Sequence, residues 1–353
     1  MVVSCRFFGI KPFRFLEAAY LPEVSLQLFH SFWMILSRFL LVISLIAALP
    51  LPALLAAEEN TALGEKAEAH SHEGKQAHHG LPKKAPVLYH GIGGDPKTGK
   101  VGPLAITNSM VVMLVVAAGI IFVAQLATRK ANLVPSGLQN FVEWLVESLY
   151  GFFESILGTH MVKKTFWFFA TIFIFILFSN WMGLIPGLGS IGWAEAGHHN
   201  EHISEPLLRG VNADLNMTLA MASIFMVLWL YWCIREIGLG GFAGHIFDVK
   251  GHGSGFLGIF LVVVFICVGL IEIVSIAVRP VALTFRLYGN VFAGENMLES
   301  VMIMAGPYFG WLAVLPFYFL EILVGLVQAL VFALLTSVFT ALMCEHHGED
   351  KAH

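Results

Sequence analysis

The chain has 353 residues, of which 57% are hydrophobic and only 12% charged, with a mean hydropathy of +0.77. That charge density cannot cover the surface of a soluble domain, so the composition describes a polytopic membrane protein. A net charge of −4, with no basic patch interleaved with aromatics, argues against nucleic acid as a partner. The four cysteines, Cys5, Cys233, Cys267 and Cys344, are far apart in sequence and mostly within apolar segments. They form neither a disulfide framework nor a zinc site and read as packing residues.

Residues 1–57 have the character of processing sequence. Met34 opens the short basic start MILSR, the apolar run FLLVISLIAALPLPALLAA follows, and Glu58 and Glu59 come next. This is the layout of a secretory signal peptide cleaved near Ala56 or Ala57. Residues 1–33 are then either an unusual extension or sequence upstream of a misassigned start, the second being favoured. A retained first membrane helix is the competing reading, which Pro50 and Pro52 disfavour. Residues 58–103 are polar and carry His70, His72, His78, His79 and His90. Their composition predicts a mostly disordered extracytoplasmic tether. Metal binding by these histidines is the alternative, although no fixed spacing with cysteine or carboxylate supports a closed site.

The first span, Leu104 to Thr128, ends at Arg129 and Lys130, cations that mark a cytoplasmic end. Val134 to Leu157 then sets Leu138, Phe141, Val142, Leu145, Leu149 and Phe152 at helical spacing opposite Gln139, Glu143, Glu147 and Glu154. The pattern predicts an amphipathic helix on the cytoplasmic side. Lys163 and Lys164 precede a second span, Thr165 to Pro186, which runs outward. The outer loop, Gly187 to Asn212, holds Glu195, His198, His199, Glu201, His202 and Glu205, which either funnel cations or form a plain solvated loop. A third span, Asp214 to Ile234, returns to Arg235 inside, and a glycine-rich cytoplasmic loop with Lys250 follows.

Two overlong apolar elements complete the chain, Phe256 to about Ile303 and Phe309 to Leu342. About 20 residues suffice to cross the hydrocarbon core, so both must tilt or bend, with Pro280, Gly289 and Gly294 the expected bends. The resulting plan is a membrane domain over 104–345 with five spans, the mature N-terminus outside, and a cytoplasmic tail over 346–353. Loop charge agrees, since only Arg209 is a cation in the short outer loops.

Ionisable residues inside such spans are costly and are functional candidates by default. Arg286 lies deep in one, and a guanidinium does not escape its charge by deprotonating. On a helical wheel with Glu272 at zero, Arg279 falls at about −20°, Arg286 at about −40° and Asn290 at about 0°. Glu272, Ser275, Arg279, Arg286 and Asn290 therefore make a polar stripe. Glu295 falls about 180° from Arg286 and joins the stripe only if the backbone departs from an ideal helix. The last element contributes Glu321 and Gln328 on one face. An antiparallel register pairs Arg286 with Gln328 and Glu295 with Glu321. Two carboxylates close together in low dielectric cannot both ionise cheaply, so that pair is expected to hold and release one proton. Glu272 lies about 21 Å of helix from Arg286 on the other side. A fixed cation between two acids separates two half-channels and attracts a mobile carboxylate. Polar glue inside a bundle is the plainer reading of any one of these residues.

Four stretches carry a family resemblance: RPVALTFRLYGNVFAGE at Arg279 to Glu295, LVQALVFALLT at Leu326 to Thr336, ADLNMTLAM at Ala213 to Met221, and SNWMGLIPG at Ser179 to Gly187. In these the chain resembles subunit a of the F-type ATP synthase membrane sector. The resemblance implies an all-α fold in a bacterial inner membrane, its last two helices a tilted antiparallel hairpin facing a ring of c subunits, with peripheral-stalk b subunits as further partners. It implies that Arg286 is the essential coupling arginine. Asp214, Asn290, Glu295, Glu321 and Gln328 match the outer inlet or its inner lip, and Glu272 and Ser275 the cytoplasmic outlet. The position of Glu321 is a histidine in several bacterial relatives. No cofactor or metal is implied. With no phosphate loop and no catalytic constellation in this chain, ATP chemistry belongs to partner subunits. Sodium in place of protons, and an unrelated secondary transporter, are the competing readings; the second calls for inverted repeats, and none is found.

Overall fold

The computed structural model describes residues 87–89, 106–129, 136–186, 192–193, 205–206, 208–247 and 256–344. The expected signal peptide, most of the histidine-rich segment, the outer-loop histidines, Lys250 and the C-terminal tail lie outside the described residues. Within them the protein is helical: α1 (Asn108–Thr128), α2 (Leu138–Gly183), α3 (Leu215–Phe247) and α4 (Phe256–Cys344), with a short 3-10 turn at Val211–Ala213. Single glycines break three of these helices, Gly158 in α2, Gly238 in α3 and Gly306 in α4, each at positive φ. Counting α4 as two arms about Gly306, five helices among the described residues are long and apolar enough to cross a membrane.

Two small antiparallel pairings flank the helices. The strand β1 (Val87–Tyr89) pairs with β2 (Ile106–Thr107), and β3 (Gly192–Trp193) with β4 (Glu205–Pro206). The first is a departure from expectation, because VLY falls in the segment read as a polar tether. Its residues are β-branched, apolar and aromatic, which suits a strand laid against the start of α1. In the arm of α2 before Gly158, Leu149, Phe153 and Leu157 are buried while Leu138 and Phe141 are exposed. Leu145, Leu149 and Phe152 of the predicted apolar face pack on the core, so that face is turned inward over the later part of the arm and is bare at its start.

The bends differ too. Pro280, Gly289 and Gly294 all remain within α4, and the interruption comes at Gly306, with φ 78° and ψ 173°. Proline removes one ladder bond, which a long membrane helix absorbs. Only a residue without Cβ adopts the Gly306 conformation at low cost, and it ends one arm and starts the next. Across the two arms Asn290 meets Gln328 and Gly294 meets Glu321, so position numbers fall on one as they rise on the other.

The core sits where α2, α3 and α4 meet. Phe153, Phe168, Phe169 and Ile176 of α2 pack with Met221, Phe225 and Trp229 of α3 and with Leu287 and Phe332 of α4, all nearly inaccessible. Phe168 and Trp232 meet edge to face at 5.6 Å between centroids. In lipid there is little water to expel, so shape complementarity and ring contacts must supply the cohesion. Near the Gly158 and Gly238 breaks, beside Arg235, Lys164 of α2 pairs with Glu236 of α3 at 2.5 Å.

Candidate functional site

The polar residues of the first arm of α4 divide between the exposed Arg286 and a set that meets the second arm. Arg286 is exposed on the outward face, and among the described residues it has no hydrogen-bond or ion-pair partner. The expected contact with Gln328 is not made. The Gln328 carbonyl instead accepts from Nδ2 of Asn290 at 2.8 Å. The antiparallel register holds to within a turn, and the amide meets Asn290, the residue one turn beyond the arginine.

Glu295 answers the question posed by the helical wheel. The arm is helical through Gly289 and Gly294, so Glu295 stays on the face opposite Arg286. That face is the interior. Glu295, Glu321, Asn290, Gln328 and Asn180 line one small cleft of about 10 Å3, the room that a single water needs. Glu321 and Gln328 are 7% and 5% exposed, so both are inside the bundle. The carboxylate of Glu321 fills the space that a Cβ on Gly294 would require. The carboxylate of Glu295 lies against Gly183 and Gly210.

Residues that spacing did not single out surround this cleft. Nδ2 of Asn212 donates to Oδ1 of Asn180 at 2.7 Å, and Nδ2 of Asn180 donates to the Gly325 carbonyl at 2.9 Å. Nε1 of Trp181 donates to the Ile322 carbonyl at 3.3 Å, and the Tyr318 hydroxyl donates to the Leu184 carbonyl. These bonds tie the end of α2 to the second arm of α4 beside Glu321. Arg209, counted in sequence as a loop cation, is 2% exposed. Its Nη2 donates to the Ala213 carbonyl at 3.1 Å, and its charge reaches Glu295. A lone cation between Leu208 and Val211 was the available signal for its burial.

Asp214 is not in the cleft. Its Oδ1 accepts from the Asn216 backbone N–H at 3.0 Å and its Oδ2 from the Ser109 hydroxyl at 2.5 Å. It caps α3 and pins that helix to α1, roles for which an aspartate is well suited. On the other side of Arg286, Arg279 pairs with Glu272 at 2.9 Å, and its guanidinium lies 4.6 Å from the Phe339 ring centroid. Ser275 is half-buried on the same arm. Glu272 is therefore a neutralised acid with 40% of its side chain exposed, distant from Glu295 along the helix.

Comparison with known proteins covers this whole region. The family model described as ATP synthase A chain matches residues 110–341. A protein of Gloeobacter violaceus named ATP synthase subunit a is 31% identical over 253 residues, covering 71% of this chain and 90% of that protein. One of the same name from Moorella thermoacetica is 30% identical over 250 residues, with coverages of 70% and 94%. Another from Anaeromyxobacter dehalogenans is 28% identical over 330 residues, covering 84% of this chain and 79% of its own. The matched region holds the exposed arginine, the cleft and the capped aspartate together, and the chain belongs to the F-type ATP synthase subunit a family.

Proposed function

We propose that this chain is the stator subunit that conducts protons between two offset half-channels and, through Arg286, couples that flow to rotation of a c-ring and so to ATP synthesis. The observation that carries the reading is the outward face of α4. Arg286 is exposed on a membrane-spanning arm with no hydrogen-bond or ion-pair partner among the described residues, an arrangement too costly to keep unless another subunit completes it. Ala282 and Ala293 are exposed on the same face, and small residues let a second helix come close. A carboxylate on each passing c subunit supplies the partner, and the two arms of α4 lie as a tilted hairpin along the ring.

The inlet is the cleft behind that face. A proton arriving from outside meets Glu295 and Glu321 and passes the Asn290–Gln328 pair, with one water filling the gap between groups. Asp214 sits upstream of this path as the post that holds α3 and α1 at its mouth. The outlet runs by Ser275 and Glu272 toward the cytoplasm, where Arg279 pairs with Glu272. Arg286 stands between inlet and outlet and prevents protons from crossing directly. Each elementary charge carried through 100 mV delivers about 2.3 kcal/mol, so several steps are needed per ATP and the ring accumulates them. The mature N-terminus is outside, the C-terminus inside, and peripheral-stalk b subunits hold the chain against the torque.

The test is Arg286→Ala in the complete complex reconstituted into vesicles. ATP-driven proton uptake should fall at least tenfold while the complex still assembles. Uptake that survives intact would overturn the reading.

A further inference from the structure

We propose that Gly183 and Gly210 form a slot that seats the Glu295 carboxylate, which makes both glycines positioning residues of the inlet. The proposal rests on the reading of Glu295 as a proton carrier given above. Gly210 has φ −50° and ψ 130°, a conformation open to any residue, so backbone freedom is not why a glycine stands there. Space is the reason. A Cβ on Gly210 would overlap Oε1 of Glu295, and one on Gly183 would stand 3.4 Å from the same oxygen and 3.2 Å from Cα of Gly210. Three separate pieces of chain converge on one carboxylate, namely the last residue of α2, the residue before the 3-10 turn, and α4.

The consequence is chemical. Among the described residues no donor hydrogen-bonds to Glu295, so its position is set by two backbone walls. A carboxylate held by shape keeps its oxygens open to exchange a proton with the cleft, whereas one held by donors would have them occupied. The slot also brings the buried Arg209, the neighbour of Gly210, within electrostatic reach of the same carboxylate.

The experiment is ATP-driven proton uptake by the complete complex in vesicles carrying Gly210→Ala, Glu295→Asp, or both. Gly210→Ala should lower uptake at least tenfold in an assembled complex. Glu295→Asp, one methylene shorter, withdraws the carboxylate from the added methyl, so the double variant should exceed the Gly210→Ala single at least threefold. A merely structural glycine would not be rescued by shortening a different side chain. If Gly210→Ala prevents assembly, Gly183→Ala replaces it in the same design, with an expected fall of about threefold, since its added carbon meets Oε1 at ordinary contact distance. Wild-type uptake in the glycine variant, or a double variant no better than the single, would overturn the slot. Glu295→Gln separates the two readings. If it pumps like wild type, the proton-carrier role fails; if it is inactive while the glycine variant is unaffected, only the slot fails.

Discussion

At the scale of single residues, the site depends on amides as much as on acids. Asn180 accepts a hydrogen bond from Asn212 and donates one to the Gly325 carbonyl, all within the bundle. Asn180→Ala removes both bonds and leaves the Asn212 donor facing a dry wall, an arrangement costing about 1–3 kcal/mol. Asn180→Asp keeps the acceptor for Asn212 and loses only the donation to Gly325. Thermal denaturation of the purified complex should therefore show Asn180→Ala melting earlier than wild type. Comparable melting of Ala and wild type would mean that water replaces the lost bonds. The acids were legible in sequence because charge in an apolar run has no bland explanation. Asn180 and Asn212 were not, since an amide in or beside a span is common and its partner is more than 30 residues away along the chain. Arg209 was missed for a related reason, since a cation in a loop reads as solvated until packing encloses it.

At the scale of elements, the controlling feature of α4 is where it stops being a helix. Length alone showed that Phe256 to Cys344 could not be one straight crossing, and the pairing of Asn290 with Gln328 follows from the register the sequence allowed. The gap between Ile303 and Phe309 already marked where the two arms part, and Gly306 lies in it; what composition could not supply was that the expected bends inside the first arm would stay helical. Pro280, Gly289 and Gly294 are all weak points in isolation, yet each is absorbed into the helix, and Gly306 alone takes positive φ there. Gly306→Ala should cost about 1–3 kcal/mol, because φ 78° with ψ 173° is a region that residues with a Cβ essentially do not enter. Gly289→Ala meets nothing within 4 Å. It should leave stability unchanged or raise it by up to about 1 kcal/mol through helix propensity. Denaturation midpoints of the two variants would order them, and a Gly289 variant less stable than the Gly306 variant would show that α4 bends at the earlier glycine.

At the scale of the whole molecule, the chain is finished on one side and open on the other. Its interior joins α2, α3 and α4 through aromatic packing, and the cleft with its acids lies within that body. The first arm of α4 is turned outward, and only 6% of its most apolar window is buried. A face with Ala282, Arg286 and Ala293 gains little from lipid, because its small residues leave gaps and its guanidinium meets no anion among the described residues. The same face suits a close neighbouring helix that brings a carboxylate. Leu283 and Leu287, by contrast, are 4% and 0% exposed on the side turned to the bundle. Single cysteines can distinguish these two faces. If a c-ring docks as proposed, Ala282→Cys and Ala293→Cys should each form a disulfide-linked product with a cysteine placed beside the membrane carboxylate of a c subunit when the assembled complex is oxidised. Leu287→Cys should form none, because its thiol points into the core. Equal yields at all three positions, or linkage at Leu287 alone, would mean that the ring docks on another face, and the arginine would then need a partner from somewhere else.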